Sequence, residues 1–161
     1  MSATDVETDT PTTTPRRESG PDMGADHAGL QVLSYDDCLR HLRTARVGRV
    51  AFVADGEPVI LPVNHGMDGD AVVFRSSPGS KLDAASDEMP VAFEVDNFDA
   101  DRHSGWSVVV RGTARLVTDR SETQRLTRLG VWPWAESVER RHWIRIRPFE
   151  ITGRQIPPHG D

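Results

Sequence analysis

The stretch VGRVAFVADGEPVILPVNHGMDGDAVVFRS, Val47 to Ser76, decides the fold class. Its apolar residues recur at every second position, as in Val50, Phe52 and Ala54, which is the period of a strand with one buried face. Two Asp-Gly pairs interrupt it, Asp55-Gly56 and Asp68-Gly69. Asp-Gly tolerates the left-handed backbone of a two-residue hairpin, so residues 47–54, 58–66 and 71–76 read as three antiparallel strands. Two-residue connections leave no room for a crossover helix, and a doubly wound parallel sheet is excluded.

The flanks continue the pattern. Upstream, LSYDDCLRHLRTAR (33–46) carries Tyr35, Cys38, Leu39, Leu42 and Ala45 at helical spacing, with Ser34 and Asp37 as a capping pair. Downstream, SKLDAASDE (80–88) predicts a short helix capped by Ser80. PVAFEVDNF (90–98) is a fourth strand and WSVVVRGTARLVTD (106–119) a long fifth, in which Gly112 predicts a bulge or a close approach. Ser121 reads as the cap of a helix reaching about Leu129, and HWIRIRPFEITGRQI (142–156) supplies one or two closing strands. About six mostly antiparallel strands with short helices define a mainly β protein. A sheet of that many strands must close or cover its edges, which points to a small barrel.

Composition narrows the partners. The chain has 161 residues and a formal net charge of −6, which suits one domain and provides no basic face for nucleic acid. Residues 1–29, rich in Thr, Pro, Asp, Glu and Gly, are expected to form a disordered tail, leaving 30–161 as the folded domain. Cys38 is the only cysteine, so there is neither an intrachain disulfide nor a thiolate metal cluster. No signal-peptide profile or membrane-length apolar run is present, and the expectation is a cytoplasmic protein with no membrane partner.

Within the hairpin region, VVFRSSPGSKLDAA (72–85) departs from an ordinary polar loop. Arg75, Ser76, Ser77, Ser80 and Lys81 gather two cations and three hydroxyls, with no acid before Asp83. Lys81 is the only lysine of the chain and stands at the start of the expected helix, whose N-terminus carries partial positive charge. Such a set suits a phosphate, although a plain capped loop has the same composition. His65, His103 and His142 are too dispersed for a metal site; His65, next to Asn64, could face a cofactor ring or a substrate, but reads first as a solvent-facing strand histidine. Trp106, Trp132, Trp134 and Trp143 read as core or interface anchors. Arg145 and Arg147 share one strand face, solvated or paired with acids such as Glu94 or Asp96. Cys38 lies on an apolar helix face, and no nucleophile–base arrangement designates a catalytic residue.

Taken in order, GRVAFV, DG, PVILPVNHGMDGDAVVF, RSSPGSK, PVAFEVD, GWSVVVRGTARLV and WIRIRPFEITGR resemble the pyridoxamine 5′-phosphate oxidase-like family of flavin-binding split barrels. The resemblance covers roughly Leu33 to Ile156. It implies a homodimer with FMN at the interface and a small-molecule substrate. It further implies that Val59, Ile60, Leu61, Pro62, Val63 and Asn64 line the isoalloxazine ring. Arg75, Ser76, Ser80 and Lys81 would hold the phosphate, and Trp106 and Ser107 would lie near the flavin. The chain departs from the oxidases at Asn64, where they carry a lysine, and at Leu82, where they carry a second basic residue. The arginine and histidine segment that recognises the vitamin has no match in residues 142–156, so pyridoxamine phosphate oxidation is not expected. A flavin-dependent oxidoreductase is the first reading. A non-enzymatic flavin sensor or store is the alternative, as is a relative that binds heme or a deazaflavin coenzyme. The anionic tail of a deazaflavin would call on further cations such as Arg111, Arg115 or Arg154.

Overall fold

Alternation in the sequence becomes alternation in space along β2 (Val47–Ala54), where Gly48, Val50, Phe52 and Ala54 are buried and the residues between them face outward. This computed structural model describes residues 24–80, 82, 87–133 and 142–157. Around β2 the described elements are β1 (Gln31–Val32), α1 (Tyr35–Thr44), β3 (Glu57–Asp68), β4 (Ala71–Ser76), β5 (Met89–Asp99), β6 (Ser104–Val117), α2 (Arg120–Thr127) and β7 (His142–Ile156). Every strand pairing is antiparallel.

The strands run β7-β4-β3-β2-β5-β6 and return to β7, closing a barrel, with β1 added beside β7. Closure depends on the 15-residue length of β7. Its Ile144 lies between Phe74 of β4 and Leu116 of β6, so one strand joins both ends of the sheet. The register of β6 on β7 shifts between Arg111 and Gly112, and a Cβ on Gly112 would lie 2.3 Å from the Arg147 carbonyl oxygen. That is the close approach expected at this glycine. The ring is split beside β3. Described pairing with β4 covers only His65–Asp68, whereas β2 pairs with β3 from Glu57 to Asn64.

Val50, Phe74, Phe93, Val108, Ile144 and Ile146 fill the barrel. Helix α1 joins them through Cys38, Leu39 and Leu42 and packs on β3, β6 and β7. Ser34 caps it as expected, its Oγ accepting from the Asp37 amide at 3.2 Å and donating to the Asp37 carboxylate at 2.8 Å. A smaller apolar cluster of Val73, Val117, Leu126 and Trp143 lies beneath α2.

Three local expectations are corrected. The first hairpin turns on Asp55-Gly56, both left-handed, but the second turns on Gly69-Asp70, because Asp68 still pairs with Ala71. Only Gly69 is left-handed there, which suits a turn with glycine first. Helix α2 is capped by Asp119 instead of Ser121: the Asp119 carboxylate accepts from the Glu122 amide at 2.7 Å and from the Ser121 hydroxyl at 2.6 Å. Arg145 and Arg147 meet acids as expected but different ones: Arg145 pairs with Glu122 and Asp68, and Arg147 approaches Glu88, while Glu94 and Asp96 are taken by Arg49. The predicted helix over 80–88 falls mostly outside the described residues. The first described segment, Gly24–Leu30, is tied to β7 where Arg154 donates to Asp26 at 3.0 Å.

The slip of the second turn leaves Asp68 as the last residue of β3, where it meets Arg125 of α2 and Arg145 of β7. Glu122 accepts from Arg145 at 2.7 Å and from Arg115 at 3.1 Å, so four elements share one ion network. The hydrogen bond from Arg125, seconded by that from Arg145, holds the Asp68 carboxyl below its ordinary value. A carboxyl depressed in the folded state contributes stability that is complete above its unfolded pKa and is lost as pH falls through the folded one. The loss therefore falls below about pH 4. Urea unfolding of wild type and Asp68→Asn at pH 6 and pH 3 is expected to show the larger acid loss in wild type. Equal losses would show that the network does not couple folding to protonation.

Candidate functional site

The end of β4 brings together two of the residues expected to hold a phosphate. The Ser76 and Ser80 hydroxyls lie 2.8 Å apart, and the Ser80 amide donates to the Ser77 carbonyl at 3.1 Å. The intervening turn thus folds the two hydroxyls onto one another. Arg75 points away from the barrel, its guanidinium carbon 5.3 Å from the centre of the Trp143 ring. Its Nε is buried without a hydrogen-bond partner, and no ion pair engages it among the described residues. Leaving a buried donor unpaired costs about 1–3 kcal/mol. A ligand oxyanion would relieve that cost. Lys81 lies outside the described residues.

Residues Val59–Asn64 divide between two faces. Val59, Leu61 and Val63 stand opposite Phe52, Val50 and Gly48, on the barrel side. Ile60, Pro62 and Asn64 stand opposite Ala51, Arg49 and Val47, on the outer side. Because β4 pairs with β3 only from His65 onward, this half of β3 has β2 as its strand partner and an edge turned toward the split. A ring placed there would meet backbone donors and acceptors as well as apolar side chains.

Trp106 and Ser107 do not join these groups within one chain. Trp106 faces inward and stacks on His41 of α1, with ring centres 3.9 Å apart. Ser107 faces outward, paired with Asp96 and Arg154. Strands β2 and β5 separate β6 from β3, a distance of about 14 Å along the sheet at three interstrand spacings.

A second feature was not legible in the sequence. His65 is buried, at 7 % exposure, and not solvent-facing as expected. It follows Val63 on the barrel side and meets Phe93 edge-on at 4.9 Å. Its Nε2 lies 2.8 Å from the Leu42 carbonyl, an acceptor, so that nitrogen carries the hydrogen. Burial lowers the imidazole pKa, against the opposing pull of that carbonyl, and keeps the ring neutral. Nδ1 is then a bare acceptor, and it is buried with no partner. The residue lines a cavity of about 380 Å³ bounded by the end of α1, the second half of β3 and the segment after α2. Val131 leans onto Gly66 so closely that a Cβ there would lie 2.6 Å from the valine methyl. Arg43 and Arg46 also line this cavity, exposed and outside every ion pair among the described residues. By contrast, Arg111, Arg115 and Arg154 are each paired with an acid. No group of three metal-ligating side chains occurs among the described residues, and no described helix is long and apolar enough to cross a membrane.

This architecture, a split barrel with a hydroxyl-rich turn at one strand end, has relatives. Residues 34–155 match the family described as pyridoxamine 5′-phosphate oxidase, and the chain belongs to that family. It is 34% identical over 129 residues to an uncharacterized protein of Mycobacterium tuberculosis, covering 77% of this chain and 84% of the relative. Among solved structures it is similar to the FAD binding protein from Mycobacterium smegmatis, at 34% identity and a TM-score of 0.67. That match covers 78% of this chain and 97% of the other. It is also similar to an FAD-binding protein from Mesorhizobium loti, at 25% identity and a TM-score of 0.63, covering 80% and 99% of the two chains.

Proposed function

We propose that this protein binds a flavin 5′-phosphate, FMN, between two copies of itself, and that it is an oxidoreductase acting on a small molecule other than pyridoxamine phosphate. The observation that carries the reading is the partly buried Arg75, whose Nε has no partner among the described residues, next to the Ser76–Ser80 hydroxyl pair, beside the half-open edge of β3. Those groups are what a phosphate and a flat heteroaromatic ring would need, with Lys81 as the second cation. Bound flavin supplies hydride or single-electron transfer, and the protein's part is to hold the ring, shield it and orient a substrate over it.

The separation of Ser107 from β3 argues for two copies. A site using both needs Ser107 from a second chain, since about 14 Å divides them within one. The outer face of β2 and β3 offers Val47, Val53 and Ile60 to such a partner. A second reading keeps the site and extends the cofactor to FAD, because two relatives, at 34% and 25% identity, are FAD-binding proteins. A deazaflavin loses support, since the cations proposed for its tail are already paired.

Denaturing the purified protein and separating the released chromophore by chromatography tests the reading directly. FMN is the expected product. FAD would move the reading to its second form, and a protein free of flavin that takes up neither nucleotide would end both. Reduction of the bound flavin by NADH or NADPH, with reoxidation by an added acceptor, is expected of an oxidoreductase and not of a storage module.

A further inference from the structure

The cavity between α1, β3 and the segment after α2 contains groups that flavin phosphate binding does not use. Arg43 and Arg46, outside every ion pair among the described residues, line it together with Asn64. His65 also lines it, and its Nδ1, buried and without a partner among the described residues, can only accept a hydrogen bond, because its other nitrogen is committed to the Leu42 carbonyl. Val131 and the largely exposed Trp132, at 75 %, form an apolar wall. Among the described residues no hydroxyl side chain lines the space, in contrast to the Ser76–Ser80 turn. At about 380 Å³ it has the size of a small-molecule site.

We infer that this cavity receives a small aromatic carboxylate that also carries a hydroxyl or N–H group. Each part of the ligand answers one feature of the wall. The planar guanidinium forks match a planar carboxylate. The bare imidazole nitrogen requires a donor from the ligand, which a simple acid lacks. The flat indole and the valine favour an aromatic body over a chain of polar atoms. Asn64 projects from the strand assigned to the flavin ring, so the acid bound here is the substrate class of the proposed oxidoreductase. That role rests on the flavin reading; the binding does not.

The test is calorimetric titration of 4-hydroxybenzoate, salicylate, benzoate and phenol into the protein as purified, with its cofactor content read by absorbance in the same samples. At least one of the two hydroxybenzoates should bind. Benzoate, which lacks the donor, should bind about 2- to 10-fold more weakly, and phenol, which lacks the charge, should fall below detection. The surface double variant Arg43→Gln/Arg46→Gln should weaken the acid by at least about 10-fold and leave flavin content unchanged. Three results would overturn the inference: no heat with any acid, an acid affinity indifferent to the double variant, or benzoate equal to both hydroxybenzoates. Loss of flavin together with the acid in the double variant would assign the arginines to the cofactor and also overturn it. A flavin-loaded protein that binds no acid refutes the cavity assignment alone. A protein that is free of flavin, takes up neither FMN nor FAD, and binds the acid through Arg43 and Arg46 refutes the cofactor reading and leaves the cavity as a receptor.

Discussion

Lys81→Ala is expected to weaken FMN binding by about 10- to 150-fold, the range for losing one charge-assisted contact to a phosphate dianion. Arg75→Ala should act in the same direction, and the double variant should be purified nearly free of cofactor. Riboflavin has the same ring and no phosphate, so it should bind wild type and Lys81→Ala about equally. The comparison separates a phosphate contact from general damage to the ring site. Arg75 lies over Trp143, so its removal also disturbs packing, whereas Lys81 carries the cleaner measurement. Circular dichroism and unfolding midpoints close to wild type would confirm that the barrel survives. Equal FMN affinity in wild type and Lys81→Ala would retire the cradle, and an equal loss of riboflavin would relocate the lysine's effect to the ring.

The strands of this barrel were legible where one face is buried and the other exposed, as along β2, which a period of two records directly, and β4, buried on both faces from Ala71 to Phe74, was legible as a short apolar run. Residues 47–54 and 71–76 form strands with the expected bounds. The second hairpin misled by one residue. Asp68-Gly69 has the stronger local turn preference, but Arg125 and Arg145 hold Asp68 in the strand, and Gly69 alone can take the left-handed backbone in either register. Tertiary ion pairing outweighed a local preference. His65 was misread for a related reason. Val63 and Met67, two positions away on either side, put it on the apolar face, but its own polarity argued for solvent, and its burial is completed by Leu42 and Phe93, distant in sequence. The cavity was invisible for the same cause: Arg43, Arg46, His65 and Trp132 come from three separate segments, and none has a motif.

The phosphate segment stands between these cases. Its five polar side chains are consecutive enough to be noticed, and the structure adds that Ser76 and Ser80 meet and that Arg75 Nε has no hydrogen-bond partner among the described residues. Sequence could not say that Trp106 and Ser107 face opposite ways. Consecutive strand residues always do, so only one of the two can reach an outer-face ligand. Ser107 is that residue.

Ile60→Arg is expected to convert the proposed dimer to monomer and to empty the proposed flavin site together. Ile60 is 65 % exposed and Val53 61 %, both on the outer face of the β2–β3 hairpin. A two-fold interface there places the substitution on both copies at once. A guanidinium buried without a counter-charge costs several kcal/mol. Two such groups would weaken association by more than about 1,000-fold. The phosphate groups would remain intact on each chain, but Ser107 would no longer be delivered to the neighbouring ring. Because Ile60 is exposed within the chain, the barrel itself should keep its unfolding midpoint apart from the contribution of dimerisation. Sedimentation and flavin absorbance on the same sample decide the matter. A variant that stays dimeric and yellow would show that this face is not the interface. A monomeric variant with full flavin content would show that one chain completes the site alone, and the assignment of Ser107 to the partner's flavin would be wrong.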